Sequence, residues 1–398
     1  METLKILMTT DTYPPYSIGG DANHVFLLSK ELANRGHDVH VISNFDAYSL
    51  LAKRFNWKIN KPEDSTVSNH VLRSPRGDLE SYLTYFLGKS KFYSDEYKKI
   101  LDSVKPDIVH HHDVTFLGHN FFEKKGNYIQ FHTAHNYWLI CPNRESFRFG
   151  KTCERPNLCS LCLLYSKRIP QIWRWNKNAE KITKDIDVII APSRYMRKRL
   201  CDKINNKKIV HLPNFVPRYE HNIEPSGYAK YFLYVGQLEE RKGIINILNT
   251  FKNHRDDIDA NLIIVGSGSI EQKIVDFIVK HKMGQKILLL GRVEIDKLWS
   301  LYNDAIALIV PSIWPENNPL VAIEALSVGT PVIGTNAGGI GEIIEKIDKN
   351  LIFKGDGFEE MKLVSDRNYS KESITQIYDK QYSPEIYIRE YMKLVNRS

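Results

Sequence analysis

Short hydrophobic runs recur along the chain, and each ends in a loop with Gly, Pro or Ser before a helical pattern begins. The first run covers residues 4–8, a loop with Pro and Gly follows over 13–20, and a helical pattern extends from about Asn23 to Arg35. A second run at 39–42 comes soon after Gly36. Continuous runs of this length are typical of parallel strands that helices cover on both faces, so the opening predicts a βαβ unit.

The same alternation continues through the rest of the sequence. Three further runs precede a connector that starts near His211, and five runs follow it. The connector is about fifteen residues long, which exceeds the usual link inside a βαβ unit, so it predicts a domain boundary. These later predicted strands begin at Asp107, Tyr128, Asp187, Tyr231, Ala260, Ile287, Ala307 and Pro331.

We therefore predict an α/β protein with two Rossmann-like, doubly wound domains, 1–212 and 213–380, and a final segment, 381–398. A chain of 398 residues is long enough to bury two cores. The final segment predicts an amphipathic helix from about Pro384 to Val395, because apolar side chains recur there at every third position. These side chains are Ile388, Tyr391 and Leu394.

The net charge of +8 is unevenly distributed. Residues 1–212 hold 33 Lys and Arg against 22 Asp and Glu, whereas residues 213–398 hold 22 against 25. A basic half suits an anionic membrane or a polyanionic substrate, and since no recognised nucleic-acid module accompanies it, we expect no nucleic-acid partner. The start of the chain lacks the basic and apolar stretches of a signal peptide, so we expect a cytoplasmic protein.

Two glutamates in the second half stand eight positions apart, in Pro311-Ser-Ile-Trp-Pro-Glu316-Asn-Asn-Pro-Leu-Val-Ala-Ile-Glu324. The pattern places Glu316 in a loop after a strand and Glu324 in a helix that begins near Asn318. Unpaired N–H groups and the positive end of the dipole at such a helix start suit a diphosphate. An ionised Glu324 would accept hydrogen bonds from vicinal hydroxyls such as those of a ribose.

A second segment also combines a turn with positive charge. Gly236-Gln-Leu-Glu-Glu-Arg241-Lys242-Gly243 follows a predicted strand and opens a helix, so two cations lie beside a turn where anions bind. A basic pair on a solvated helix start is the alternative interpretation.

Together these segments resemble retaining glycosyltransferases of glycosyltransferase family 4, whose signature is Glu-x7-Glu. The flanking Pro311-Ser312 and Gly329-Thr-Pro-Val-Ile are similar to the family as well. The resemblance covers nearly the whole chain and is densest over 230–345. It implies a GT-B fold, with two Rossmann-like domains and a C-terminal helix that returns to the N-terminal domain.

The resemblance also implies a reaction. A glycosyl group would move from a UDP- or GDP-sugar to an acceptor hydroxyl with retention at the anomeric carbon, in glycan, polysaccharide or glycolipid biosynthesis. No metal or other cofactor would be required. The acceptor would be a glycan or lipid-linked molecule, and the basic N-terminal domain would contact an anionic membrane peripherally, at its inner face.

The family pattern assigns roles to particular residues. Lys242 and Arg241 would stabilise the leaving diphosphate, Glu316 and His135 would orient the sugar, and Glu324 would bind the ribose. Of these, His135, Glu316 and Lys242 form the catalytic set. The remaining donor-binding positions are Gly19, Gly20, Gly266, Arg292, Val293, Asn317, Asn318, Pro319, Leu320 and Val321.

Two positions depart from the pattern. The family arginine after the first glycine is Gln237 here, which leaves open whether Arg241 supplies that charge. In His132-Thr-Ala-His135-Asn136-Tyr-Trp138, which is similar to one branch of the family, Asn136 replaces the usual aspartate. The loop 336–342 also resembles the family, but nothing beyond a turn is predicted for it.

Four cysteines lie close together in the first half: Cys141, Cys153, Cys159 and Cys162. In a cytosolic chain such a cluster argues against structural disulfides. A structural zinc site, reduced thiols and redox-sensitive pairing remain open, because the spacing matches no zinc finger.

The acceptor side carries a weaker pattern. A basic stretch with tryptophans, over 167–199, suits anionic lipid headgroups, and a solvated helix face is the alternative. Three other functions remain open for the whole chain: a GT-B sugar-nucleotide epimerase, a phosphorylase, and a non-catalytic sugar-nucleotide-binding or membrane-adaptor protein.

Overall fold

The computed structural model describes residues 3–55, 66–148, 150–153, 159–175, 178–205 and 207–396. The chain divides into two compact units, and the main break falls between Pro213 and Asn214. The first unit comprises Met1–Ser146, Cys153–Pro213 and Ile388–Ser398, and the second comprises Phe147–Thr152 and Asn214–Tyr387.

The first unit contains a parallel sheet that, in the described residues, has seven strands in the order β3-β2-β1-β4-β5-β8-β9. A short antiparallel hairpin, β6 and β7, interrupts the chain between β5 and β8. The strands of the sheet are β1 Lys5–Thr10, β2 Asp38–Asn44, β3 Ser68–Leu72, β4 Ile108–His111, β5 Ile129–Thr133, β8 Val188–Ala191 and β9 Lys208–His211. The hairpin strands, β6 Phe147–Arg148 and β7 Lys151–Thr152, are counted with the second unit.

Helices link the parallel strands of this sheet, as βαβ crossovers require. They are α1 Gly19–Asn34, α2 Phe45–Phe55, α3 Asp78–Leu87, α4 Lys91–Val104, α5 Cys159–Tyr165, α6 Ala179–Ile182 and α7 Arg194–Cys201, with a 3-10 turn at Ile172–Trp175.

The second unit repeats the architecture with a parallel sheet of five strands among its described residues, in the order β12-β11-β10-β13-β14. Its core lies around these strands, which are mainly apolar and are buried except for the half-buried edge strand β12. The strands are β10 Tyr231–Val235, β11 Asn261–Val265, β12 Ile287–Gly291, β13 Ala307–Val310 and β14 Val332–Gly334. The helices are α8 Ile244–Asn253, α9 Glu271–Lys280, α10 Ile295–Asp304, α11 Leu320–Ser327, α12 Ile340–Ile344, α13 Phe358–Asp366, α14 Lys371–Gln381 and α15 Pro384–Val395.

The two doubly wound sheets confirm the predicted fold class, including the returning C-terminal helix. Helix α15 starts in the second unit, and from Ile388 onward it belongs to the first. Its Tyr391 is fully buried there, where its hydroxyl lies 3.2 Å from His110 Nδ1 and its ring packs edge-on against Phe131.

One prediction about the start of the chain is wrong in detail. Gly19 and Gly20 were expected in a loop, with the helix beginning near Asn23, but both lie in the first turn of α1. Gly19 has φ of 83°, a value that glycine adopts without strain. The N–H groups of a first helical turn have no partner within the helix, so both glycines still suit a close approach to an anion.

Strand order determines where each unit can bind a ligand. In open α/β sheets, ligands bind beyond the carboxyl ends of the strands where the order reverses. The reversal lies between β1 and β4 in the first unit and between β10 and β13 in the second. The loops after these four strands are therefore the regions in which functional residues are expected.

Candidate active site

Glu316 lies in the loop after β13, at the strand reversal of the second unit, and is only 8% exposed. Its Oε1 accepts hydrogen bonds from Lys242 Nζ at 2.6 Å and from Ser312 Oγ at 2.5 Å. Lys242 comes from the loop after β10, so the ion pair joins the two loops that flank the reversal. The structure thus brings together two of the predicted catalytic residues.

The charge of Glu316 is maintained in spite of its burial. Burial alone would raise the pKa of this carboxyl, but the nearby Lys242, the Ser312 hydroxyl and Arg241 lower the pKa below its usual value. Glu316 is therefore an anion at neutral pH, and both of its carboxylate oxygens act as hydrogen-bond acceptors only.

Arg241 lies beside this pair with its charge already matched. Its Nε donates to Glu239 Oε2 at 2.5 Å, and its guanidinium lies 4.5 Å from the centre of the Trp314 ring. Lys242 Nζ is 5.6 Å from the same ring. The sequence analysis did not single out Trp314, whose buried Nε1 has no hydrogen-bond partner within the described part of the chain.

The loop 336–342, for which only a turn was predicted, supports the backbone of Glu316. Gly339 N donates to Glu316 O at 2.7 Å, and Gly338 pairs with Glu316 in an isolated parallel bridge. A Cβ on Gly338, whose φ is 69°, would lie 2.1 Å from Glu316 O. Glycine is required because the two backbones approach so closely. The family similarity of this loop was the only signal for it.

Glu324 lies in α11 and is held by a residue that the sequence did not indicate. Tyr302, fully buried on α10, donates its hydroxyl to Glu324 Oε2 at 2.7 Å. Burial, together with the adjacent Glu324 carboxylate, raises the pKa of Tyr302 well above its usual value, so the phenol remains a donor. This hydrogen bond fixes one carboxylate oxygen of Glu324, the residue that is predicted to bind the ribose.

The start of α11 differs from the prediction. The helix begins at Leu320 with Pro319 as its N-cap, about half a turn later than expected. Pro319 has no N–H, so any contact that it makes with the donor would not be an amide hydrogen bond. Asn318 is buried, and its side-chain oxygen accepts from Asn214 N at 2.8 Å, so this side chain anchors the chain at the start of the second unit. Leu320 and Val321 are half-buried at the start of the helix, and Asn317 is half-buried before it.

The remaining predicted donor positions lie in the loops after β11 and β12. A Cβ on Gly266 would lie 1.9 Å from Gly236 O, so this glycine lets the loops after β10 and β11 touch. Arg292 is exposed and donates from Nε to Ser267 Oγ at 2.9 Å, whereas Val293 packs against the core. The hydroxyl of Tyr234 donates a hydrogen bond to Gln237 O at 2.9 Å. This bond fixes the turn at Gln237, where the sequence departs from the family pattern.

His135 lies in the first unit, after β5, within a group of buried histidines. Its Nε2 is 2.9 Å from His112 Nδ1, and its ring is 5.1 Å from that of His24 on α1. Burial lowers the pKa of His135, while the carboxylates of Asp21 and Asp113 act in the opposite direction. The same burial lowers the pKa of the neighbouring histidines, which are His24, His110, His111, His112 and His132.

A carboxylate pair at the strand reversal of the first unit was not predicted. Asp11, after β1, accepts hydrogen bonds from the backbone N–H of Phe116 at 3.0 Å and of Leu117 at 3.1 Å. Burial and the neighbouring Asp113 raise the pKa of Asp11 well above its usual value. Asp113 would also be raised by burial, but Arg144 and Thr115 lower its pKa. The two carboxyl groups therefore differ, and Asp113 gives up its proton more readily than Asp11.

The departing residue Asn136 belongs to this network. Its Nδ2 lies 3.4 Å from Asp113 Oδ2, and its Oδ1 accepts from Trp138 N at 2.9 Å. Arg144 forms an ion pair with the same carboxylate oxygen of Asp113. An amide at position 136 donates to Asp113, whereas an aspartate would add a third carboxylate beside Asp11 and Asp113.

Both halves of the chain match families of known sequences. A model of the Glycosyltransferase Family 4 sequences matches residues 18–218, and a model described as Glycosyl transferases group 1 matches residues 218–363. The first match alone covers half of the chain. The chain belongs to glycosyltransferase family 4. The family 4 enzyme is accordingly a glycosyltransferase with the GT-B fold that its two Rossmann-like sheets display.

Three similar proteins illustrate the range of this family. The family 4 chain is 25% identical over 369 residues to an uncharacterized glycosyltransferase of Methanocaldococcus jannaschii, over 86% of this chain and 83% of the relative. It is 24% identical to a glycogen synthase of Mycobacterium tuberculosis, over 86% and 80% of the two chains. A crystal structure of S. aureus TarM with fondaparinux, α-GlcNAc-glycerol and UDP has a TM-score of 0.66 at 12% identity, over 99% of this chain and 100% of TarM.

The described residues of the cysteine region show no arrangement suited to a metal ion. Across the described ranges, no group of three or more His, Cys, Asp or Glu side chains is placed to hold a metal ion. Burial raises the pKa of the Cys141 thiol, and the nearby Cys153 acts in the same direction. Asn143 Nδ2 lies 3.8 Å from Cys162 Sγ.

The basic stretch with tryptophans is partly internal. Trp173 is buried, and Arg174 stacks on it at 4.4 Å and donates to Trp138 O. Burial lowers the pKa of Arg174 to about 10. Arg199 donates to Ser146 Oγ at 2.9 Å and so also serves the fold. Among the described helices, none combines the length and hydrophobicity of a membrane-spanning segment.

Proposed function

We propose that this family 4 enzyme transfers a hexosyl group from a nucleoside-diphosphate sugar, a UDP- or GDP-sugar, to an acceptor hydroxyl with retention at the anomeric carbon. The observation that carries the proposal is the Lys242–Glu316 ion pair between the loops after β10 and β13. It combines a cation suited to a diphosphate with an anion suited to sugar hydroxyls, at the position in a doubly wound sheet where ligands bind.

The chemistry assigned to these residues is electrostatic. When the bond between the anomeric carbon and the diphosphate breaks, negative charge develops on the leaving phosphate oxygen. Lys242 and the N–H groups at the start of α11 would stabilise that charge where it develops, because they are already in place. A cation and helix N–H groups supply the charge that a metal would otherwise provide, so we propose a metal-independent reaction.

Other residues would position the donor. Glu316 would accept hydrogen bonds from the sugar hydroxyls, and Glu324, held by Tyr302, from those of the ribose. His135 keeps the role that the resemblance implies, a hydrogen bond to the sugar; its lowered pKa leaves a neutral imidazole that can donate from one nitrogen and accept at the other. The α-GlcNAc-glycerol and UDP bound to TarM support this donor class.

The acceptor is proposed only as a class. A glycan or lipid-linked acceptor agrees with the glycogen synthase relative and with the basic first unit. We further propose a cytoplasmic enzyme that contacts an anionic membrane peripherally.

The decisive experiment is a thermal-shift screen against UDP-, GDP-, ADP- and dTDP-sugars. A ligand at about 100 times its dissociation constant adds roughly 2.7 kcal/mol to the free energy of unfolding, which such a screen detects. Glu324→Ala should abolish the shift, whereas Glu345→Ala, a change of the same kind outside the proposed site, should retain it. A positive shift that survives Glu324→Ala would contradict the proposed ribose site.

Turnover separates the proposed transfer from the rival functions. Nucleoside diphosphate should accumulate on addition of an acceptor, with EDTA present or absent. With an epimerase, the release of nucleoside diphosphate would not depend on an acceptor. A phosphorylase would need inorganic phosphate for turnover. A non-catalytic binding protein would bind the donor without even slow hydrolysis.

A further inference from the structure

Helix α3 has its polar side chains on the inside. Glu80, Ser81 and Thr84 are all buried. Ser90 Oγ donates to Glu80 Oε1 at 2.5 Å, and Ser81 Oγ lies 3.0 Å from the hydroxyl of Tyr93. Because these groups are satisfied inside the first unit, the orientation of α3 is fixed by hydrogen bonds.

The opposite face of α3 is apolar and points outward. Leu79 is 55% exposed, Tyr82 40% and Leu87 44%, while Leu83 and Phe86 are half-buried. The spacing i, i+3, i+4, i+7, i+8 places all five on one stripe of the helix. A surface helix of a globular protein normally buries such a stripe against the core. Helix α3 is instead an amphipathic helix whose apolar stripe faces outward and whose polar side chains face inward.

A second set of exposed apolar side chains lies on α5 and in the turn that follows it. On α5, Leu161, Leu164 and Tyr165 follow the same i, i+3, i+4 spacing and are each more than half exposed, and Trp175 is 80% exposed. The chain between α5 and Trp175 packs on α3, because Ile169 contacts the small cluster that contains Tyr85 of α3.

The contact continues at the end of α3. A Cβ on Gly88, directly after the helix, would lie 2.5 Å from the Trp173 ring. We call the outward side chains of α3 and α5 together with Trp175 the apolar face.

Cations surround the apolar face. Lys89 and Lys91 follow α3, Lys167 follows α5, and all three are exposed. Tyr and Trp at the boundary of an apolar surface with Lys around it are the composition that membrane–water interfaces favour.

A second copy of the chain fits this face less well. In a two-fold interface the same patch would face itself, so both copies would bring their exposed lysines to one contact without a matching set of carboxylates. The excess of Lys and Arg in the first half adds to that repulsion. Negatively charged headgroups instead attract the lysines.

We propose that the apolar face is a docking surface for an anionic lipid bilayer. The inference deepens the proposed function, on which it rests for a lipid-linked acceptor, because it names the surface that would bring the enzyme to such an acceptor.

The test is flotation with vesicles of phosphatidylcholine, with and without about one third phosphatidylglycerol. The wild-type chain should bind the anionic vesicles at least about tenfold more tightly than the neutral ones, and added salt should weaken binding. The double variant Leu79→Gln and Leu87→Gln should lose about tenfold or more of that binding, because it removes apolar area that would enter the bilayer. Lys89→Gln with Lys91→Gln should reduce the preference for anionic vesicles.

A matched control lies in the second unit, where Val279 and Ile295 are 71% and 58% exposed. Val279→Gln with Ile295→Gln should bind vesicles as the wild type does. Equal binding by the Leu79 and Leu87 variant would overturn the proposal, as would a wild-type chain that ignores anionic vesicles. Self-association that this variant abolishes, without vesicle binding, would identify a second copy as the occupant instead.

The two proposals fail separately. Leu79 and Leu87 are exposed and are not among the proposed donor-site residues, so the Leu79 and Leu87 variant should keep the thermal shift with nucleotide sugars. If the variant loses vesicle binding but keeps the thermal shift with the donor, the result bears only on the docking surface. If the wild-type chain shows no thermal shift with any donor, the result bears only on the proposed function.

Discussion

The polar centres of the two units solve the problem of burial in opposite ways. In the second unit, Glu316 stays charged because Lys242 and Ser312 bind its carboxylate directly. In the first unit, burial lowers the pKa of several neighbouring histidines, among them His110, His112 and His132, so this group of histidines stays neutral. His112 Nε2 and His132 Nδ1 are buried without a hydrogen-bond partner in the described ranges. One centre is held by matched charge and the other by the exclusion of charge.

The difference indicates how each centre can fail. The paired centre fails when one partner is removed, because an isolated buried charge remains. The neutral centre fails when protons are added, because burial penalises the new charges and Asp21 and Asp113 only partly offset that penalty. Four tests would break or sharpen this contrast, and they follow in order of expected size.

Acidification should destabilise the first unit most. Histidines of the unfolded chain titrate near pH 6.5, and the buried ones titrate lower, so below that pH the unfolded chain binds more protons. Between pH 6.5 and 5.5 the free energy of unfolding should fall by about 1 kcal/mol for each buried histidine, or several kcal/mol for the group. The raised pKa of Asp11 acts in the opposite sense, but through one group only.

Calorimetry at pH 7.5, 6.5 and 5.5 measures this effect. The variant His111→Gln, which removes one fully buried member away from the predicted donor contacts, should show a shallower pH dependence. Equal stability at all three values would show that these histidines are not held neutral.

Removal of one ionic partner should be the next largest effect. Lys242→Met leaves Glu316 buried without its cation, which should cost about 3 kcal/mol in the free energy of unfolding. The double variant Lys242→Met and Glu316→Gln should recover most of that loss in urea unfolding, while the thermal shift with a nucleotide sugar remains absent. A double variant that is no more stable than Lys242→Met would refute matched charge as the stabilising principle.

A family-type aspartate at position 136 should cost about 2 kcal/mol above pH 5, because it places a carboxylate beside the charged Asp113. The loss should shrink as the pH falls and the new carboxyl is protonated. Asp113→Asn in the same chain should restore stability, since an amide and a carboxylate again face each other. Urea unfolding of the Asn136→Asp chain that matched the wild type at pH 7 would contradict the account of this departure.

The smallest expected effect is that of Tyr302→Phe. Loss of one buried hydrogen bond should cost about 1 kcal/mol of stability, since the ring remains to fill the space. Donor affinity should also fall, because Glu324 is less firmly held, and titration of the nucleotide sugar by thermal shift measures it. Tyr231→Phe removes another buried tyrosine hydroxyl bond, to Leu301 O, and should leave donor affinity unchanged.

The sequence predicts what is local and misses what strands bring together. Glu316 and Glu324 share one segment, and Lys242 lies beside Arg241 at a turn, so spacing and family resemblance indicate them. Asp11 and Asp113 follow different strands and become neighbours only through the order of the sheet.

The hydrogen-bond partners of side chains cannot be predicted from the sequence for a related reason. Tyr302 appears as an ordinary apolar position of α10, although it binds Glu324. The inverted orientation of α3 is invisible too, because periodicity shows that a helix has an apolar stripe but not which way the stripe points.

Helix α15 carries a consequence for how the enzyme is made. Residues from Ile388 onward complete the first unit, where Tyr391 fills the space between His110 and Phe131. During synthesis the ribosome therefore releases the last piece of the first unit only after it has made the whole second unit. The nascent N-terminal half must wait, incompletely packed, until the segment from Ile388 onward has been made.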